Sequence, residues 1–303
     1  MKQDKMEHTE DFAVLVNSCD KFEDCWEPFF RLWDTYGLHS DVRFQHLPIY
    51  LNTERKHYSY PNLNLLSTSV CEHWNWNSIS APTWSWCLAR ALDTIKENFV
   101  LYLQEDYFLQ EKMDEDWVLS ILCFMREHKE IGCIHLAGRS KQASPWPEYW
   151  IRPASDLYFV SCQAAIWRKS VLQALLRQHE SAWAFERWGS KRAALAKMMF
   201  LIARPRHGNQ PISYIWTGII QGKWYKPTVE LFRKNNIPEP DWNRRGFYLD
   251  PALDPSPRLC RMGKRMAYLV RAIFARYVFP LKSLQEVVRL RCAAFFRKKP
   301  PNP

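Results

Sequence analysis

The feature that most constrains this chain is the alternation of strand and helix in its first third. FAVLVN (12–17) reads as a short apolar strand that closes on a polar residue. After it Trp26, Phe29, Phe30 and Trp33 recur at helical spacing until Gly37 ends the pattern. Pro28 is tolerated only in a first turn, so the regular helix starts near Glu27. HLPIYLN (46–52) supplies a second strand. A helix over about 82–97 follows, with Pro82 near its start and Trp86, Leu88, Leu92 and Ile95 on its buried face. FVLYLQ (99–104) is the next buried strand. This order predicts an α/β layer with parallel strands.

Ligands of such sheets bind outside the carboxyl ends of the strands. The residues just past each apolar run therefore become site candidates. They are Asn17, Ser18 and Asp20 after the first strand, and Glu105 and Asp106 after 99–104. Two adjacent carboxylates between VLYLQ and YFL suit a divalent cation shared with a nucleotide diphosphate. Mg²⁺ or Mn²⁺ takes hard oxygen ligands and only one or two protein carboxylates beside the phosphates. The other reading of the pair is a solvated acidic turn in which Asp106 caps the next segment.

Downstream, a helix at 114–129 leads into CIHLAG (133–138) and a Pro/Trp-rich loop. DLYFVSCQAAIW (156–167) reads as a strand, with a helix near 168–179. AWAFERWGSKRAALAKMMFLIA (182–203) reads as a loop leading to a helix, and PISYIWTGIIQGKWYKP as a strand and a Gly-flanked turn. The expected division is a body over 1–235, a Pro- and Asp-rich linker over 236–260, and a basic helical tail over 261–303.

Composition narrows the function. Fifteen Trp and thirteen Tyr offer flat apolar faces with polar edges, which suit sugar rings, bases, membrane interfaces or a Trp-rich core. The net charge is +10. From Arg261 to Lys299 every charged residue is Lys or Arg except Glu286, and this tail accounts for the whole excess. A neutral body counts against a nucleic-acid partner. Nine cysteines form no C-x-x-C pair, which indicates neither a zinc site nor a disulfide framework and suits a reducing cytoplasm. The polar opening MKQDKMEHTED lacks the apolar stretch of a secretory signal, and no apolar run is long enough to span a bilayer.

In the tail, Met266, Leu269, Val270, Ile273, Phe274 and Tyr277 share one helical face. Lys264, Arg265, Arg271 and Arg276 share the other, and 284–296 repeats the theme after Pro280. Basic amphipathic helices of this kind lie on anionic membrane surfaces. Docking on the body or on a partner subunit is the competing reading.

Six segments, in order and covering about 11–235, together resemble a GT-A-type glycosyltransferase of bacterial surface-polysaccharide (O-antigen or capsule) biosynthesis. They are VNSCDKFEDCWEPFF (16–30), PIYLNTE (48–54), NFVLYLQEDYFL (98–109), YFVSCQAAIWRKSVLQALL (158–176), SAWAFERWGS (181–190) and YIWTGIIQGKW (214–224). The resemblance implies a GT-A-like (Rossmann-like) α/β fold, a mixed, mostly parallel sheet flanked by helices, and a UDP-, GDP- or dTDP-linked sugar as donor. Asp106 with Glu105 would stand where the family's D-x-D motif holds the metal and diphosphate. Q-E-D-Y replaces D-x-D here, which leaves metal dependence open, and Lys223 or His207 could neutralise part of the diphosphate instead. Asn17, Ser18 and Asp20 would meet base and ribose, and Arg90 the donor sugar or phosphate.

Trp183-Ala184-Phe185-Glu186 resembles the W-x-x-E/D element that delivers the base of inverting members. Glu186 would then take a proton from the acceptor hydroxyl. A helix-start Glu beside Arg187 is the plainer alternative. Gln163 and Trp183 are acceptor candidates. The implied partners are a lipid-linked glycan acceptor, the anionic inner face of the cell membrane through 261–299, and other polysaccharide-assembly enzymes. Two further readings stand beside this one: a nucleic-acid-binding protein that uses the cationic tail, and a non-catalytic scaffold.

Overall fold

FAVLVN becomes β1 (Phe12–Asn17), every residue of it buried. The computed structural model describes residues 9–78, 80–250, 266 and 281–297. Around β1 the chain builds one eight-stranded sheet with β2 (Ile49–Asn52), β3 (Leu65–Ser67), β4 (Phe99–Gln104), β5 (Ile131–His135), β6 (Tyr149–Ile151), β7 (Ala165–Arg168) and β8 (Met199–Ala203), in the order β3-β2-β1-β4-β7-β5-β8-β6. β1 runs parallel to β2 and β4, β2 to β3, and β5 to β8. β7 runs antiparallel between β4 and β5, and β6 lies antiparallel on the β8 edge. The mixed, mostly parallel sheet expected from the sequence is the sheet observed.

Side chains leave β1 and β4 alternately to two cores. On one face Val14, Val16, Leu101 and Leu103 pack under α1 (Trp26–Tyr36) and α4 (Glu115–Glu127), meeting Phe29, Phe30, Trp33, Trp117 and Ile121. On the other, Ala13, Leu15, Val100 and Tyr102 meet Leu88, Ala91 and Leu92 of α3 (Trp84–Thr94) and Leu172 and Leu175 of α5 (Lys169–Leu175). Each large side chain fully removed from water contributes about 1.5–3 kcal/mol, so these two layers hold the sheet. A short α2 (Val70–His73) follows β3.

Two stretches depart from the sequence reading. Residues 156–164 are not strand; only Ala165–Arg168 pairs in the sheet. Phe159 and Val160 are apolar because they are buried, not because they form a ladder. Their neighbourhood finds its hydrogen bonds in side chains instead. The Val160 amide donates to Ser190 Oγ at 2.8 Å, and the Cys162 amide to Glu186 Oε1 at 2.9 Å.

Residues 182–203 are helix first and strand last: α6 (Ala182–Ala184), a π-helical turn (Phe185–Gly189), α7 (Ser190–Leu195), then β8. Lys197, at φ 54°, makes the break between them. β9 (Ile219–Ile220) and β10 (Lys223–Trp224) form a hairpin. Its two-residue loop puts both Gln221 and Gly222 at positive φ, the backbone a primed turn requires.

Beyond α8 (Pro227–Lys234), the stretch read as linker packs on the body as far as it is described. Trp242, in α9 (Trp242–Arg245), stacks on Phe232 and meets Trp224 edge-on, and Arg245 pairs with Asp24 at 2.6 Å. The first amphipathic segment of the tail, 264–279, lies outside the described residues apart from residue 266. The second is α10 (Leu281–Arg297), and it docks on the body. Val287 is buried against Ala184 and Trp188, and Glu286 binds Arg177. Ser283 Oγ donates to Glu180 Oε1 at 2.5 Å, and Glu180 is itself locked to Arg192 at 2.6 Å in a fully buried pair. Among the described residues no helix is long and apolar enough to cross a membrane.

Removing one partner of a buried ion pair strands the other charge, which costs about 3–5 kcal/mol. Arg192→Met should therefore lower the urea midpoint sharply by leaving Glu180 uncompensated. Ser283→Ala should cost only about 1 kcal/mol, because the pair survives.

Candidate active site

The chain reverses its direction of winding between β1 and β4. β2 and β3 are added on one side of β1, β4 and the rest on the other. At such a switch point the loops after the two strands diverge and leave a crevice at their carboxyl ends. Asn17 and Gln104, the last residues of β1 and β4, are register partners on its floor. A cavity of about 560 Å³ opens there, lined among others by Asn17, Ser18, Phe22, Trp84, Glu105, Gln163, Trp183, Glu186, Trp216 and Thr217.

The floor is held by a side-chain ladder. Asn52 Nδ2 donates to Asn17 Oδ1 at 2.8 Å, and Thr68 Oγ1 to Asn52 Oδ1 at 3.2 Å. Trp26 Nε1 donates to Ser18 Oγ at 2.7 Å. The polar groups at the strand ends are thus fixed before any ligand arrives, which lowers the ordering cost of binding.

Glu105 and Asp106 part company. Asp106 turns away from the cavity: Thr217 Oγ1 donates to its Oδ2 at 2.5 Å and the Ile219 amide at 3.1 Å. Its backbone oxygen takes the Gly218 amide at 2.8 Å. A Cβ on Gly218 would lie 2.2 Å from the Phe108 ring, so only glycine lets the 217–219 turn come this close. Asp106, expected beside Glu105 at the metal, is in this structure a buried clasp on that turn and does not line the cavity.

Glu105 lines the cavity, is buried, and makes no ion pair among the described residues. Burial first, and the neighbouring Asp106 charge second, push its carboxyl well above the ordinary 4.5. Asp106 is raised by burial too, opposed by its bonds from Thr217 and Ile219.

Whether a divalent cation fits can be judged from these donors. Among the described residues no group of three His, Cys, Asp or Glu side chains could cage a metal alone. One buried, unpaired carboxylate beside Asn17 and Ser18 does fit a cation whose other ligands are phosphate oxygens and water.

On the opposite wall, the π-helical turn presents Glu186, and its Oε1 receives the Cys162 amide at 2.9 Å. A π turn inserts an extra residue into a helix and is frequent at functional sites. Ser190 Oγ binds both Val160 and the Glu186 carbonyl, tying the turn to the 160–162 segment. Gln163 is oriented by Tyr214, whose hydroxyl donates to Oε1 at 2.8 Å, and Tyr214 stacks on Tyr107 at 4.8 Å. Cys19 also lines the cavity, but burial, with Glu105 next, pushes its thiol up to about 12. Burial and Glu186 raise Cys162 as well. Neither is a thiolate nucleophile at neutral pH.

A second cavity, of about 460 Å³, adjoins the first. Gln163, Trp183, Glu186 and Trp216 line both, so Glu186 stands on the partition. Trp183 is 43% and Trp216 67% exposed, large aromatic faces at the shared mouth. Trp216, Thr217 and Trp84 did not emerge from the sequence as site residues. Trp216 in YIWTGIIQGKW was within a quoted segment, but one Trp among fifteen carries no signal of its own.

Besides Asp106, four expected contacts fall outside the cavity lining. Asp20 spends its carboxylate on the amides of Glu54, Arg55 and Lys56, bracing the turn after β2. Arg90 lies 4.5 Å over the Trp74 ring and pairs with Asp93. Lys223 is an exposed residue of the β9–β10 hairpin, and His207 is exposed in a loop at φ 50°. Asp20 and Arg90 thus have local partners in this structure, three backbone amides for the one and Asp93 with an indole face for the other.

No protein-family profile matches the chain, and no curated protein sequence matches it. Among solved structures, S. aureus TarS is similar over 88% of this chain and 44% of its own length, at 12% identity and a TM-score of 0.43. The chain thus spans less than half of that protein. TarS 1–349 in complex with UDP is similar over 88% of this chain and 72% of that one, at 12% identity and a TM-score of 0.43. M. tuberculosis glucosyl-3-phosphoglycerate synthase with Mn²⁺ and UDP-glucose is similar over 79% and 84%, at 9% identity and a TM-score of 0.40.

Glu105→Gln tests the buried charge directly. A carboxyl whose folded-state pKa is raised contributes stability only while protonated, and that contribution is lost as pH rises through the folded value. The variant should melt higher than wild type by a few degrees at pH 8, and the gap should close as the pH falls toward 4.5. A gap of equal size at both ends would mean that Glu105 is not charged at the cavity wall.

Proposed function

We propose that the chain is a nucleotide-sugar-dependent glycosyltransferase of the inverting kind. The observation that carries this is two adjoining cavities, one at the β1/β4 switch point and one beyond it, with Glu186 on the wall they share. A transfer between two bound sugars needs that arrangement. The donor lies in one compartment, the acceptor in the other, and a carboxylate stands between them to take the acceptor's proton.

In this reading Asn17 and Ser18 meet the nucleoside. Glu105 faces the diphosphate and would hold a Mn²⁺ or Mg²⁺ ion, which would supply positive charge against the leaving diphosphate. Asp106 holds the 217–219 turn against the donor. Glu186 removes the proton as the acceptor oxygen attacks C1, and the nucleoside diphosphate leaves from the opposite face. Gln163, Trp183 and Trp216 shelve the acceptor.

The acceptor we propose is a lipid-linked surface glycan such as O-antigen or capsule, met at the cytoplasmic face of the membrane. The support is the sequence resemblance together with the outer face of α10. There Leu284 and Val288 are exposed beside Lys282, Arg289 and Arg291, an apolar strip edged by cations.

The test is a screen of UDP-, GDP-, dTDP- and CMP-sugars by thermal shift, followed by turnover of whichever sugar binds. Ligand that binds only the folded state raises the midpoint by mass action. One nucleotide class should stabilise wild type and not Asn17→Ala. Glu186→Gln should keep that shift while turnover falls about 10²–10⁴-fold, the usual share of a general base. A Glu186→Gln enzyme with wild-type turnover would remove Glu186 from the reaction.

A further inference from the structure

Arg152 is a half-buried charge beside the site whose buried Nε has no partner. It follows β6, and its backbone amide donates to Phe200 O at 2.9 Å, so its Cα is fixed to the sheet edge. Its side chain lines the second cavity. Nε is buried without a partner, and the guanidinium makes no hydrogen bond and no ion pair among the described residues. By contrast, the buried Arg192 and Arg245 each grip a carboxylate at two points. Asp156 and Glu186 are the acids near enough to influence Arg152, and neither pairs with it. Arg139, exposed and also without an ion pair among the described residues, lines the same cavity, as does Ser161.

A partly buried guanidinium without a partner is costly, because desolvation is not repaid by a counter-charge. Its planar fork matches the two oxygens of a phosphate or carboxylate. We propose that the second cavity is an oxyanion subsite, in which Arg152, assisted by Arg139, holds the phosphate or carboxylate of an acidic acceptor. The subsite shares its wall with Glu186, so the anion would anchor the acceptor with a hydroxyl toward that carboxylate. Calling the ligand an acceptor rests on the proposed function; the anion site itself does not.

Matched sugars separate charge from shape. The full-length protein is titrated by calorimetry, at constant ionic strength, with glucose 6-phosphate, glucuronate and glucose. The two acidic sugars should bind saturably and glucose should not. Arg152→Gln should weaken them at least about tenfold, or about 1.4 kcal/mol. Arg152→Lys should fall between, keeping the charge and losing the fork, and Arg139→Ala should weaken binding less.

Phosphatidylcholine vesicles with phosphatidic acid are then added as competitor. Displacement of glucose 6-phosphate assigns the anion to a lipid headgroup, and no displacement assigns it to a glycan; both agree with the subsite. Glucose binding as well as its acidic analogues, or an Arg152→Gln variant that melts like wild type and binds the acids unchanged, overturns the proposal. Acidic-sugar binding without any nucleotide response would sink the glycosyltransferase reading and leave the subsite standing. A nucleotide response without acidic-sugar binding would do the reverse.

Discussion

The pairing of β1 with β4 is the constraint on which the rest depends. The two strands are buried on both faces, run parallel over six residues from Phe12↔Phe99 to Asn17↔Gln104, and end together. The next residues have no strand to join and must turn away from each other, which opens the crevice. Asn17, Ser18 and Glu105 reach it because the ladder stops where it does. A slip of one residue in register would send every side chain of the strand to the opposite core, so packing fixes the site's floor.

The opposite wall is fixed by other means. Glu186 sits on a π turn whose backbone and side chain are stitched to 160–162 by Ser190 and by the Cys162 amide. Behind that turn, Val287 of α10 closes on Ala184 and Trp188, and the Arg192–Glu180 pair joins Ser283 and Glu286 to α7. The basic C-terminal helix is therefore coupled to the wall that carries the candidate base.

The parallel half of the fold was legible because FAVLVN and FVLYLQ are apolar without interruption, as doubly covered strands must be. The second half was not. YFVSCQAAIW is just as apolar, yet Phe159–Gln163 is packed as irregular chain, because Ser190 and Glu186 supply the hydrogen bonds that a ladder would. MFLIA was hidden behind a helix of similar composition. In the site, Asn17, Ser18, Glu105, Gln163, Trp183 and Glu186 come together around one crevice. The local partners of Asp20, Arg90 and Asp106 were not legible, since they are amides, an indole and a threonine from other turns. Arg152 gave no signal at all. An arginine becomes notable only when a structure shows that it lacks the partner a buried charge needs.

A nucleoside diphosphate is proposed to occupy the crevice at the β1/β4 switch point. Hydrogen–deuterium exchange, with and without the nucleotide that stabilises the protein, measures this most directly. Slowed exchange is expected at the 17–22 and 104–107 loops and the 216–219 turn, with the 205–209 loop unchanged. Protection confined to α10 or the β9–β10 hairpin, or spread evenly over the sheet, would contradict it.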